Sequence, residues 1–263
     1  MIRRPVRTPT RLALGAAAFA AVIGVYSLLS WRAHRENPRN RTLPNLEQFQ
    51  KAWAGIAKGR PVDLAEDAWS SGQRLAWGLG SGVAGGFVLG LLMGCFPAVD
   101  ALAGPPIAAF ARVPPTAMLA VYLALLSITS ESIFVALIGL GVFPTLTLAI
   151  AGAARTDVDE HTVNKAYTLG ASTLEVVWNV VLRQILPRMI EAVRLQVGPA
   201  MVFLIAAEYA VADSGFGYAL RIRSKALDMA TVYTYLAILA AFGVVLDFAL
   251  ASLRRWLCPW FRA

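Results

Sequence analysis

Five runs without a single charged residue decide what this chain can become. They are residues 12–31, 75–99, 113–130, 132–154 and 229–246, of 20, 25, 18, 23 and 18 residues. A helix needs about 20 apolar residues to cross a hydrocarbon core about 30 Å thick. In that medium the backbone must satisfy its own hydrogen bonds, which an α-helix does within one segment. A sixth candidate, residues 195–207, has only 13 uncharged positions and is bounded by Arg194 and Glu208. It can span if Arg194 snorkels to one face while Glu208 sits near the other, or if protein shelters both. Only 15% of the 263 residues are charged, whereas soluble domains carry about a quarter. The expectation is an all-α, polytopic membrane protein of six transmembrane helices in a lipid bilayer, with both termini on one side.

The first run follows Arg3, Arg4, Arg7 and Arg11, as the apolar part of a secretory signal would. It exceeds the roughly 7–15 residues usual there, and no clean small-x-small site follows Leu28-Leu29-Ser30-Trp31. It is therefore read as an uncleaved anchor; its removal would leave five spans. A net charge of +8 invites a nucleic-acid partner, but membrane proteins carry excess Lys and Arg in their loops for insertion reasons, and no nucleic acid is expected. The cations divide almost evenly between the two sides of a six-span scheme, so charge does not orient it. Cys95 and Cys258 do not stand at metal-ligand spacing with His34 or His161 and are read as packing residues.

The most informative polar segment is residues 156–187, between the fourth and fifth spans. Asp157 with Glu160 makes a capping-box start, and a helical pattern runs to Leu169. Gly170 can take the left-handed conformation that ends a helix. Ser172 with Glu175 opens a second helix. Leu174, Val177, Trp178, Val181 and Ile185 then form one apolar stripe, and Pro187 interrupts it. Two short helices held at an angle outside a membrane bundle suit a handle for a soluble partner. Pattern alone fits a plain surface connector equally well.

The residues resemble a known loop. Ala166, Leu169, Gly170, Ala171 and Ser172, followed by Val180, Val181, Leu182, Leu186 and Pro187, are similar to the cytoplasmic coupling loop of permease subunits in bacterial ATP-binding-cassette importers, most of all the nitrate/sulfonate/taurine branch. The resemblance extends from about Arg74 to Leu253 and includes Val113-Pro114-Pro115, Ala206-Ala207-Glu208 and Ser214-Gly215-Phe216-Gly217-Tyr218. The chain departs from the family at Asn164, at Arg183 and in Leu123-Ala124-Leu125-Leu126-Ser127. The resemblance implies a multi-pass protein of the bacterial inner membrane whose termini face the cytoplasm. It implies a cytoplasmic ATP-binding subunit, a second permease copy and a periplasmic substrate-binding protein as partners. ATP would be the partner's cofactor, with none in this chain. The implied ATPase-coupling residues are Ala166, Leu169, Gly170, Ala171, Ser172, Thr173 and Leu174, with Val181, Leu182 and Pro187 holding the angle. Residues 1–73 would form a tail, anchor and outer amphipathic segment, and residues 74–263 the core permease domain.

Other features fit around that frame. Gly78, Gly82, Gly86, Gly90 and Gly94 recur every fourth residue, which places them on one slowly drifting helix face. In lipid such small residues let two backbones approach closely, so the stripe reads as a helix-packing seam. Leu46, Phe49, Trp53 and Ile56 mark an amphipathic helix in the outer segment. Five prolines in residues 97–115 suggest a short turn, and Pro199 a kink in the fifth span. Glu208 and Pro199 are the candidate pathway or gate residues; Glu208 and Asp247 are the intramembrane acids, each near a span end. None of Lys51, Lys58, Lys165 and Lys225 follows the glycine frame of a phosphate-cradling loop. The chain is thus read as a transport subunit without its own ATPase, not an enzyme. An ATPase-independent carrier or channel, and a membrane structural subunit, are the alternative readings.

Overall fold

The computed structural model describes residues 8–38, 40–57, 64–126 and 131–261. The expectations placed on Arg3, Arg4, Arg7, Lys58 and Ser127 fall outside these residues. Among the described residues every regular element is helical. Five helices are long and apolar enough to cross a membrane, or six spans if one bent pair counts as one. The chain forms two compact units, Met1–Asp63 with Ile222–Leu236, and Leu64–Arg221 with Ala237–Ala263.

In the first unit, α1 (Thr8–Glu36) is followed by a short loop and α2 (Leu46–Ala57). Asn45 and Gln48 close the start of α2 reciprocally, each backbone N–H donating to the other's side chain at 3.0 and 2.9 Å. Tyr26 Oη donates to the Pro44 carbonyl at 2.9 Å. Phe49 packs against the rings of Tyr26 and Tyr233. Ile56 is buried and Phe49 half-buried, whereas Leu46 and Trp53 stay exposed.

The second unit is built on α3 (Leu64–Cys95) and α6 (Ser132–Thr156). The glycine stripe of α3 faces α6. A Cβ on Gly78 would lie 2.6 Å from Ile138, on Gly82 2.8 Å from the Gly139 carbonyl, on Gly86 3.2 Å from Leu146, and on Gly90 2.7 Å from the Thr147 carbonyl; on Gly94 it would strike Ala154. Glycine is what lets Ile138, Val142, Leu146 and Ile150 of α6 fill the seam at 1% exposure or less.

The expected turn at residues 97–115 is instead α4 (Pro97–Phe110). Pro97 takes the first helical position, where no N–H is needed. Pro105 and Pro106 each remove one hydrogen bond without ending the helix. The break comes later, where Pro114 is extended (φ −61°, ψ 119°), and a 3₁₀ turn (Pro115–Met118) leads into α5 (Leu119–Leu125). This pair is bent by 83°.

After α6 come α7 (Glu160–Thr168), α8 (Thr173–Val176), a π-helical turn (Val177–Val181) and α9 (Leu182–Val211). Thr173–Val211 is one span-length helix. Pro187 therefore does not interrupt the pattern, and α9 runs on through Pro199. A proline in a membrane helix loses one hydrogen bond, but its neighbours can hold the helix together. Arg194 is sheltered by protein: its Nε and Nη2 donate to both Asp247 oxygens at 2.9 and 2.7 Å. Asp247 belongs to α11 (Met229–Leu257), which follows α10 (Phe216–Lys225) and runs ten residues beyond Asp247.

Candidate functional site

Residues 157–182 form an exposed bracket between α6 and α9. Asp159, not Asp157, caps α7 by accepting from the His161 N–H at 3.2 Å. Asp157 instead ends α6 and pairs with Arg188 of α9 at 3.3 Å, because α6 runs farther than the capping pattern suggests. At the end of α7 the Gly170 N–H donates to the Tyr167 carbonyl at 3.0 Å and the Ala171 N–H to the Ala166 carbonyl at 3.1 Å. That is a Schellman ending, with Gly170 at φ 85°. Two residues later Ser172 and Glu175 make a complete capping box. The ends of the two helices are thus fixed by local backbone chemistry, and Val163, Ala166, Ala171 and Val176 seat them on the core.

The predicted apolar stripe divides. Val177, Val181 and Ile185 are buried, along with Val176, but Leu174 and Trp178 are 68% and 55% exposed. The π turn inserts an extra residue per turn and rotates the register, so one stripe cannot keep a single face. Leu169, 87% exposed, and Tyr167 join Leu174 and Trp178 as uncovered apolar groups. Thr173 is exposed, Ala166, Ala171 and Leu182 are half-buried, and Pro187 is buried. The bracket has an inner side seated on the core and an outer side of bare apolar groups, a shape that suits another protein.

A second cluster lies near the other end of α9. Glu208 is fully buried. It accepts from Ser71 Oγ at 2.7 and 2.9 Å, from Arg74 Nη1 at 3.0 Å and from the Gly217 N–H at 2.8 Å. Arg74 also donates to both oxygens of Glu131 at 2.7 Å and to the Ser214 carbonyl at 2.8 Å. Asp67 accepts from the Gly215 N–H at 2.8 Å, and Ser71 from the Phe216 N–H at 2.9 Å. Three acceptors from α3 and α9 thereby satisfy the first N–H groups of α10, which a helix cannot satisfy for itself. Gly215, at φ 106°, and Gly217 have no room for a Cβ beside Glu208. The arrangement ties α3, α6, α9 and α10 at one point.

The profile of the binding-protein-dependent transport system inner membrane component family matches residues 86–262. The chain belongs to that family. It is the permease subunit of an ATP-binding-cassette importer, and such a subunit works with an ATP-binding subunit and a substrate-binding protein. The permease is 31% identical over 188 residues to the taurine transport system permease protein TauC of Escherichia coli (strain K12), covering 71% of this chain and 67% of that one. It is 28% identical over 252 residues to a probable ABC transporter permease protein of Brucella melitensis biotype 1, covering 95% and 98%. Its fold matches a chain of the MetNI methionine ABC transporter in an inward-facing conformation, with a TM-score of 0.61 at 15% identity over 74% of this chain and 95% of that one. The independent-carrier and structural-subunit readings give way to this one.

Sequence reasoning named Glu208 in the permease but missed Asp67, Ser71, Arg74 and Glu131 as its surroundings. A signal was there. Asp67, Ser71 and Arg74 precede Gly78 at helical spacing on the same face of α3, continuing the glycine stripe with polar groups. Pro199 is exposed on α9 and lines a cavity of about 200 Å³ with Tyr122, Thr145 and Gln196, separate from the Glu208 cluster.

Proposed function

We propose that two copies of this permease pair in the bacterial inner membrane, multi-pass and with both termini cytoplasmic, to form the pathway for a small sulfonate such as taurine. Residues 157–182 dock into a cytoplasmic ATPase subunit, and ATP is bound and hydrolysed there; this chain supplies no cofactor or catalytic group. A periplasmic binding protein delivers the solute. The observation that carries the reading is the bracket itself: two helices joined by a left-handed Gly170, with Leu169, Leu174 and Trp178 bare on its outer side and α9 continuous behind it. The likeness to a taurine permease supports the solute class. Ala166, Ala171, Ser172 and Thr173 shape the docking face, and Val181, Leu182 and Pro187 seat it. Residues 1–73 act as an accessory segment to the core permease domain of residues 74–263.

The test is Gly170→Val together with Leu174→Arg. Gly170 has no neighbour within 4 Å of an added Cβ, so its cost is conformational: valine is an outlier at φ 85°. Leu174 is exposed, so arginine there disturbs docking and not the core. Both variants should reach the membrane at normal levels yet lose solute-stimulated ATPase activity and taurine uptake in proteoliposomes holding all three components. Normal stimulation in both variants refutes the docking assignment. Uptake that excess ethanesulfonate does not compete away refutes the solute class.

A further inference from the structure

The first unit holds a cavity of about 490 Å³ between α2 with its preceding loop and the junction of α10 with α11. That is the size of a small-molecule pocket. Among the described residues that line it three are cationic, Arg41, Lys51 and Arg223, and one is acidic, Asp228. Ile56, Leu227 and Met229 supply apolar wall.

The single acid is already engaged. Asp228 accepts from Thr231 Oγ1 at 2.7 Å and from its N–H at 3.3 Å, which caps α11, and it lies 3.5 Å from Arg223 Nη1. The cations are less committed. Arg223 is only 15% exposed at the side chain, and its Nε is buried without a hydrogen-bond partner, an arrangement that costs free energy. Arg41 is exposed and has no carboxylate within ion-pair distance among the described residues. Among the described residues Lys51 pairs only with Glu47, one turn away on open surface, a contact of little worth in water.

The frame around these groups is fixed. Ser30 Oγ donates to the Leu43 and Pro44 carbonyls at 3.1 Å, and Gln48 Nε2 to the Asn40 carbonyl at 3.2 Å. These bonds hold the loop that carries Arg41. At the other lip Leu227, at φ 55°, ends α10, its N–H donating to the Ser224 carbonyl at 3.1 Å and the Asp228 N–H to the Arg223 carbonyl at 3.0 Å.

We infer that this cavity binds a small oxyanion with a short apolar body, its oxygens received by Arg41, Lys51 and Arg223. A free alkanesulfonate or carboxylate and the headgroup of an anionic phospholipid share that chemistry. Its described lining shares no residue with the docking bracket or the Glu208 cluster, and it does not depend on which solute crosses the membrane.

The test uses the purified full-length chain at low ionic strength. Ethanesulfonate is titrated in neutral detergent by calorimetry. Native mass spectrometry then follows retention of phosphatidylglycerol after extraction from bilayers of phosphatidylcholine with or without it. Saturable ethanesulfonate binding, weakened tenfold or more by Arg41→Gln and by Arg223→Gln but unchanged by Lys225→Gln, supports a free-anion site. Retained phosphatidylglycerol that is lost with the same two variants supports the site with the headgroup as its natural occupant. Arg41 is exposed, so its variant keeps the test valid even if Arg223→Gln fails to fold. Binding of neither probe, or equal weakening by Lys225→Gln, overturns the inference.

Discussion

Removing Arg74 should destabilise the permease more than removing either of its acidic partners. Arg74→Met erases its bonds to Glu208, the Ser214 carbonyl and Glu131. Glu208 then stays fully buried with only the Ser71 hydroxyl and one backbone N–H as donors. Stranding one member of a buried pair costs about 3–5 kcal/mol. Glu131 adds little, since its side chain is 69% exposed and water replaces the guanidinium. Glu208→Gln is gentler. Arg74 keeps Glu131 and the Ser214 carbonyl, and the amide oxygen still accepts one of the remaining donors; the loss is about one charge-assisted bond, 1.5–3 kcal/mol. The double variant should cost less than the sum, with a coupling of about 0.5–3 kcal/mol. Reversible unfolding of the purified permease in mixed micelles, titrated with sodium dodecyl sulfate and read by tryptophan fluorescence, gives all these values. The expected order of cost is Arg74→Met, then Glu208→Gln, then Glu131→Gln. An Arg74→Met cost within about 0.5 kcal/mol of zero, the range of an ordinary surface change, or a Glu131→Gln cost equal to it, refutes the reasoning.

Gly90→Ala should cost about 1–3 kcal/mol by overpacking, because its Cβ would meet the Thr147 carbonyl at 2.7 Å and Ile150 at 2.9 Å. Gly80→Ala, with nothing within 4 Å, should be neutral or gain up to about 1 kcal/mol in helix propensity; the same unfolding titration separates the pair, and equal effects would sink the seam. Arg74 holds the Glu131 carboxyl below its ordinary value of 4.5. Folding lowers this pKa, so the contribution is present at neutral pH and fades as the solution is acidified through the folded value; the stability gap between the wild-type protein and Glu131→Gln should close on acidification, and a widening gap contradicts the contact. Pro199→Ala restores an intrahelical donor in α9 and should stabilise the protein while slowing uptake in the reconstituted system; unchanged uptake would remove Pro199 from the pathway or gate.

What could be read from the chain, and what could not, follows from how each feature is encoded. The uncharged runs and the glycine stripe are statements about period and composition, and hydrocarbon leaves the backbone few choices. The end of α7 was legible for a similar reason: a glycine followed by a Ser-x-x-Glu box is local chemistry. The π turn at Val177–Val181 was not legible, since only tertiary packing selects it, and it divided a stripe that looked continuous. Residues 97–115 were misread because five prolines suggest a turn, although a proline at a first helical position favours a helix. The Glu208 cluster was half legible. Its acid stood out in an apolar span, but its side-chain partners Arg74 and Ser71 lie 134 and 137 residues away in sequence, and only their place on the glycine face of α3 hinted at them.

The two sites of the permease share one element, the helix Thr173–Val211. At 1.5 Å per residue its 39 residues reach about 58 Å. Leu174 and Trp178 stand at one end of it and Glu208 at the other. The far end is tied to α3 through Ser71 and Arg74, and the glycine seam holds α3 against α6. These three form a block that cannot shear without opening the buried Arg74–Glu208 pair or a close-packed seam. A push on the bracket therefore has two outcomes: it moves the block as a body, or the helix yields at a weak point between its ends. Helices yield at π turns and prolines. Of those points, Pro187 is buried and the π turn is seated on the core by Val177 and Val181, whereas Pro199 is exposed and borders a cavity. Bending is therefore expected at Pro199, and slowed uptake by Pro199→Ala is the result that would bear this out.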